Sequence, residues 1–137
     1  MLYIIGSLRN PNVPKVAAEL RANGFDVFDE WFSAGKYADD AWQAYERQRG
    51  HSFAEALDSP HARHVFYFDY AHLNNSDAVV LVAPAGKSAH LELGWALGQG
   101  KPGYVLLDGE PPRFDLMYRF CTGVFSTVID LIEALEG

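Results

Sequence analysis

Residues 77–107 read DAVVLVAPAGKSAHLELGWALGQGKPGYVLL. The first apolar run, residues 78–82, is continuous, which is typical of a strand that is buried on both faces. Residues 88–99 follow helical periodicity, and residues 103–107 form a second apolar run. A strand, a helix and another strand in this order predict two parallel neighbours joined by a right-handed crossover.

The same alternation continues toward both ends of the chain. Near the start, the predicted elements are a strand at Leu2–Ile5 closed by Gly6, a helix around residues 16–20 that ends at Asn23-Gly24, and a strand over 25–28. A long polar and aromatic excursion follows, with predicted helices over 41–49 and 53–73 and a break near Ser59-Pro60. Toward the end, we predict a short helix over 114–120, a strand at 124–125 and a helix over 127–135.

These elements predict one α/β domain spanning residues 1–137. We expect a doubly wound, flavodoxin-like or Rossmann-like fold whose five-stranded parallel sheet has the order 2-1-3-4-5. With 49% hydrophobic residues in 137, the chain has enough apolar material for one compact core.

Charge and cysteine content restrict the class of partner. A net charge of −7 offers no electrostatic footprint for a nucleic-acid polymer or an anionic membrane, so we expect a small-molecule ligand. No apolar run approaches the length of a membrane span, and Leu2–Ile5 is shorter than the core of a signal peptide. The lone Cys121 agrees with a reducing compartment. We therefore predict a cytoplasmic protein.

The predicted strand order places a ligand crevice beyond the carboxyl ends of strands one and three, between residues 6–10 and 83–88. Gly6, Ser7, Arg9 and Asn10 offer backbone amides, a hydroxyl group and a guanidinium group at this crevice. The structural alternative is a glycine turn in which Ser7 or Asn10 caps the next helix and Arg9 points into solvent.

Gly86-Lys87-Ser88 precedes the clearest helix. Backbone amides and a lysine at a helix N-terminus attract phosphate, so Lys87 and Ser88 are candidate anion ligands. The full phosphate-loop motif requires glycine where Leu81 stands, which disfavours a nucleoside-triphosphatase. A plain turn with Ser88 as the N-cap is the structural alternative.

Two carboxylates are the candidate catalytic groups. Glu92 falls in the first turn of the predicted helix among apolar residues, where the helix N-terminus is expected to favour its ionised form. Asp69 lies on the preceding helix, eight residues before Asp77. A solvated glutamate and an ordinary surface aspartate are the structural alternatives. Together in one cleft, the two groups are the minimum equipment for cleaving a glycosidic bond.

The chain resembles the nucleoside 2-deoxyribosyltransferase family in its broad sense, which includes the 2'-deoxynucleoside 5'-phosphate N-hydrolases. The segments that carry the resemblance are Tyr3-Ile4-Ile5-Gly6-Ser7-Leu8-Arg9, Asp69 with residues 77–82, Leu91-Glu92-Leu93-Gly94-Trp95-Ala96 with Gly100-Lys101-Pro102, and Asp115-Leu116-Met117. They span almost the entire chain in the family's order, and the Glu-Leu-Gly-aromatic-Ala element is the most specific of them.

The resemblance implies that Glu92 is the nucleophile that holds the deoxyribosyl group and that Asp69 is the acid/base near the leaving nucleobase. Gly6, Ser7 and Arg9 match the loop that holds the sugar-phosphate end. Met117 matches a residue that reaches into a neighbouring subunit's site, which implies a homodimer or a higher assembly. No metal or organic cofactor is implied.

Three further residues complete the predicted substrate-binding set. Tyr3 and Asn10 flank the Gly6–Arg9 loop, and Trp31 lies in the excursion where family members place aromatic residues against the base. For Trp31, packing within a lid is the alternative.

Two departures from the family pattern leave the substrate and the acceptor open. Asp115 stands where a hydroxyl or amide residue is expected and favours a 5'-hydroxyl, whereas Arg9 and Lys87 favour a 5'-phosphate. Gly86 stands six positions before Glu92, where the transferases carry an acidic residue. Hydrolysis and transfer therefore both remain open as the reaction. The alternative function is a catalytically silent nucleotide-binding or sensing module of the same fold.

Overall fold

The computed structural model describes residues 1–137. Its five strands are β1 (Leu2–Ile5), β2 (Val27–Phe28), β3 (Ala78–Val82), β4 (Gly103–Leu106) and β5 (Gly123–Phe125). All neighbouring strands pair in parallel, in the order β2-β1-β3-β4-β5. The predicted α/β class and strand order are confirmed. The second strand is shorter than predicted, since it begins at Val27 and not at residue 25.

Six α-helices surround the sheet: α1 (Asn12–Ala22), α2 (Ala38–Gln48), α3 (Phe53–Ala56), α4 (Pro60–Asn75), α5 (Lys87–Gly98) and α6 (Val128–Glu136). Glu30–Ala34 and Leu116–Phe120 are short 3₁₀ helices, so the short helix predicted over 114–120 is present but begins two residues later. None of the helices combines the length and the apolar character that crossing a lipid bilayer requires.

Local sequence explains where several helices begin and end. The α1 helix ends at Ala22 and is followed by Asn23 and Gly24. Gly24 adopts a positive φ of 88°, which a residue without a Cβ tolerates best. The break predicted near residues 59–60 separates α3 from α4, because the Ser59 hydroxyl accepts a hydrogen bond from the Ala62 N–H at 3.2 Å and Pro60 occupies the first helical position.

The core lies on both faces of the sheet because side chains alternate along each strand. On one face, Leu2, Ile4 and Val80 pack with buried residues of α1 and α6. On the other face, Tyr3, Ile5 and Leu81 pack with buried residues of α4 and α5. Tyr3 therefore belongs to the same side of the sheet as α4 and α5, which carry Asp69 and Glu92.

Candidate active site

Two loops at the carboxyl edge of the sheet form an open cleft of about 500 Å³. The loop after β1 and the loop after β3 are joined by Asn10, which is buried. Its side-chain amide donates to the carbonyl oxygens of Val82 and Pro84, at 3.3 and 3.4 Å. Its side-chain oxygen accepts from the Asn12 N–H at 3.0 Å, at the start of α1. These backbone contacts fully engage the Asn10 amide, which holds the cleft in shape.

Because Gly6 has no side chain, α1 and the Trp31 ring can approach the end of β1 closely beneath this cleft. A Cβ at this position would lie 2.8 Å from Cγ2 of Val13, a buried residue of α1, and 3.7 Å from the Trp31 ring. The Trp31 indole N–H donates to the Ile4 carbonyl at 2.8 Å. Trp31 is thus fixed against the end of β1.

The loop after β1 uses some of the hydrogen-bond donors that were expected to be free. The Arg9 N–H donates to the Ser7 hydroxyl at 3.1 Å, and the Asn10 N–H donates to the Ser7 carbonyl at 3.0 Å. The Arg9 guanidinium is exposed and forms an ion pair with Asp40 in the first turn of α2. Its positive charge is therefore shared with a neighbouring carboxylate.

The start of α5 differs from the prediction. Gly86 is the N-cap residue, with no side-chain cap, and Ser88 lies inside the first turn. The expectation that Ser88 caps the helix is therefore wrong, because the helix begins one residue earlier, at Lys87. Lys87 and Ser88 are exposed and do not line the cleft.

Glu92 is the sixth residue of α5 and lies in its second turn, not in the first turn as predicted. Its side chain is partly buried, and burial raises its pKa to about 7. A hydrogen bond with Tyr3 opposes this rise, and the negative charge of Asp69 adds to it. Burial therefore dominates the pKa of Glu92, which lies beyond the first turn, where the effect of the helix N-terminus is strongest.

Asp69 lies on α4 and is also partly buried, and burial raises its pKa to about 6. The charge of His72 lowers the pKa, and the charge of Asp39 raises it. The phenol of Tyr3 has a raised pKa because of its burial and because both Glu92 and Asp69 act on it. The structure therefore brings Tyr3, Asp69 and Glu92 into one cluster, which we call the carboxylate cluster.

Aromatic rings border the carboxylate cluster. Phe28 stacks on Tyr3 with ring centroids 5.3 Å apart and on His72 with centroids 4.0 Å apart. Between α4 and α5, Tyr70 meets Trp95 edge-on at 5.3 Å. Phe28 and His72 were not among the predicted site residues. Their signals were the position of Phe28 at the end of a strand and the three-residue spacing of His72 from Asp69 on one helix.

A second cavity of about 520 Å³ lies beyond the ends of β4 and β5. Asp115 lines this cavity, while Met117 is 64% exposed and lines neither cavity. Asp108, which follows β4, lines both cavities and was missed, although a polar residue just beyond a parallel strand is a recognisable signal. Neither cavity is lined by Asp69 or Glu92. Tyr3 of the carboxylate cluster lies on β1, and Ser7 and Arg9 of the loop that follows β1 line the cleft.

His90 links α5 to the segment that carries Asp115 and Met117. Its Nδ1 lies 2.7 Å from the Gly86 carbonyl oxygen, and its Nε2 lies 2.7 Å from the Tyr118 hydroxyl. A carbonyl only accepts, so Nδ1 carries a proton and donates to Gly86. His90 thus ties α5 to the 3₁₀ helix Leu116–Phe120.

The pKa of Glu92 predicts how stability depends on pH. In the folded protein this carboxyl keeps its proton from its ordinary pKa of 4.5 up to about 7, whereas the unfolded chain releases it. The free energy of unfolding therefore falls as pH rises through this window. We expect Glu92→Gln to be more stable than the wild type by about 2 kcal/mol near pH 8 and nearly equal to it near pH 4.

Thermal denaturation at several pH values measures this difference. Glu19→Gln is the matched control, because Glu19 is an exposed residue of α1 on the other face of the sheet. A stability gain of Glu92→Gln that is the same at both pH values would contradict the prediction.

No group of three or more His, Cys, Asp or Glu side chains is arranged to hold a metal ion. The chain gives no significant match to protein-family models or to the sequences of curated proteins.

Proposed function

We propose that this protein cleaves the N-glycosidic bond of 2'-deoxynucleosides or their 5'-monophosphates, as a member of the nucleoside 2-deoxyribosyltransferase family in its broad sense. The observation that carries the proposal is the carboxylate cluster, in which Asp69 and Glu92 come from different helices and have pKa values raised to about 6 and about 7. Two interacting carboxyls with raised pKa values are typical of acid/base and nucleophilic sites.

Each carboxyl has a distinct role in the proposed first step. The ionised Glu92 attacks the anomeric carbon, the bond from that carbon to the base nitrogen breaks, and its electron pair leaves with the base. Protonated Asp69 donates its proton to the departing base, and a pKa of about 6 keeps part of this group protonated near neutral pH. The hydrogen bond with Tyr3 favours the ionised, attacking form of Glu92.

The second step resolves the covalent ester. Water or a second nucleobase attacks the anomeric carbon, the bond to the Glu92 oxygen breaks, and the attacking group loses its proton to Asp69. Two displacements at one carbon retain its configuration. Attack by water makes the protein an N-hydrolase, and attack by another base makes it a deoxyribosyltransferase.

We place the substrate between the carboxylate cluster and the cleft. In the proposed pose, the sugar lies over Tyr3 and Glu92 with the base toward Asp69. Its 5' end points to the cleft lined by Ser7 and Arg9. Phe28 is buried and stacks with both Tyr3 and His72, so the partly exposed His72 ring is the part of the aromatic border that we place near the base.

Chromatography of reaction mixtures tests the proposal. The protein is incubated with each deoxynucleoside and each deoxynucleotide, with and without a second free base. We expect release of the free base, and formation of a new nucleoside when a second base is transferred. Absence of base release from every substrate would refute the proposed function.

We also propose that a second copy of the chain covers exposed apolar side chains of α4. Val65, Phe66, Tyr67, Phe68 and Tyr70 are each between 37% and 61% exposed, and the Phe66 ring contacts those of Tyr67 and Tyr70. Grouped exposed apolar side chains are typical of an interaction surface. The exposed Met117 is consistent with a residue that reaches a neighbouring subunit, as the family resemblance implies.

Sedimentation velocity measures the assembly directly. We expect the wild type to sediment as a dimer or larger species and Phe66→Asp to sediment as a monomer, because a charge in an apolar interface is costly. Ile129→Asp is the control, since Ile129 is 69% exposed on α6, away from α4. A monomeric wild type at micromolar concentration would contradict the prediction.

A further inference from the structure

The first turn of α2 carries two carboxylates, one of which acts on the cleft and the other on the carboxylate cluster. Asp40 forms an ion pair with Arg9, which is 31 residues earlier in the sequence. The preceding residue, Asp39, acts through its charge on Asp69. The Arg9 and Asp40 side chains are 63% and 53% exposed, so a ligand in water can reach both groups.

The charges around the cleft are unfavourable for an anion. Arg9 is the only cationic residue that lines the cleft, and Asp108 is the only acidic residue that lines it. Asp40 adds a second carboxylate through its bond to Arg9. One guanidinium is therefore opposed by two carboxylates, which lowers the attraction of this cleft for phosphate.

We propose that Asp40 is a specificity-determining residue that occupies the Arg9 guanidinium and thereby biases the cleft toward substrates with an uncharged 5' end. This inference rests on the proposed function. A 5'-phosphate competes with Asp40 for the paired N–H groups of Arg9, whereas a 5'-hydroxyl leaves the ion pair intact.

The position of Asp40 makes it a discriminator and not a permanent block. An ion pair between two exposed side chains is weak, so a phosphate can displace the carboxylate. Once displaced, Asp40 remains in the first turn of α2, where the helix dipole stabilises its charge. We therefore expect a change of several-fold in phosphate affinity when the carboxylate is removed.

Calorimetric titration with inorganic phosphate at low ionic strength tests the inference without any cleavage step. We expect Asp40→Asn to bind phosphate at least threefold tighter than the wild type. Asp39→Asn is the matched control, because it removes the same charge from the same turn but has no bond to Arg9. The double variant Arg9→Ala with Asp40→Asn is expected to lose the gain.

A kinetic comparison connects this binding result to the substrate. We expect the ratio of kcat/KM for a deoxynucleoside 5'-monophosphate to that for the deoxynucleoside to rise by a similar factor in Asp40→Asn. Unchanged phosphate affinity in Asp40→Asn, an equal gain in Asp39→Asn, or a gain that persists without Arg9 would each overturn the assignment. If no substrate is cleaved but Asp40→Asn still tightens phosphate binding through Arg9, the proposed function fails while the role of Asp40 in anion discrimination stands.

Discussion

Glu92→Ala and Glu92→Gln are expected to lose glycosidic cleavage by roughly 10³-fold or more while remaining folded. The proposed reaction proceeds through an ester on the Glu92 carboxylate, and neither alanine nor the neutral amide of glutamine replaces it as a nucleophile. Folding is expected to survive because removing a partly buried carboxyl with a raised pKa relieves an unfavourable charge at neutral pH.

Two measurements check this expectation together. Intact-mass and peptide spectrometry of wild-type protein quenched during turnover should show a deoxyribosyl adduct on the peptide that contains Glu92. The exposed Glu19→Gln control should cleave at the wild-type rate. Full activity in Glu92→Ala, or an adduct on another peptide, would remove Glu92 from the mechanism.

Asp69→Asn is expected to slow cleavage by roughly 10²- to 10⁴-fold for substrates with poor leaving bases and much less for activated analogues. An asparagine amide supplies no proton, and this loss matters in proportion to the basicity of the leaving group. Binding of the substrate should be retained.

The pH profile provides a second test of the same residue. The active form has Glu92 ionised and Asp69 protonated, so the wild-type rate should fall on the acid side as Glu92 gains a proton and on the alkaline side as Asp69 loses one. The two limbs belong to the interacting pair, whose pKa values lie at about 6 and about 7. Asp69→Asn should lose the alkaline limb, and Asp26→Asn, an exposed control, should keep it. An equal loss across all leaving groups would make Asp69 a positioning residue.

The fold could be predicted because its strands carry a strong local signal. The continuous apolar runs at 2–5 and 78–82 are buried on both faces, and the strand order follows from the crossovers that connect them. The start of α1, near Pro11 and Pro14, was harder to predict. The α1 helix begins at Asn12 and includes Pro14, since proline in the first turn has no helical N–H bond to lose.

The candidate site was only partly accessible from the sequence. Glu92 and Asp69 could be named from their positions and from the family resemblance, but their raised pKa values depend on burial by elements distant in the chain. The same holds for the Arg9–Asp40 ion pair, which depends on how α2 folds back over the loop after β1. Neither feature produces a periodic pattern in the sequence, because each depends on side chains from elements that are far apart in the chain.

The two outermost strands are short, with two residues in β2 and three in β5. A long exposed strand offers a row of unpaired N–H and C=O groups on which another chain can build an additional strand. In this protein, the edge strands are too short to support such edge-to-edge addition. Growth of the sheet from one molecule into the next is thereby disfavoured, and contacts between copies of this chain are directed to side chains on the helices.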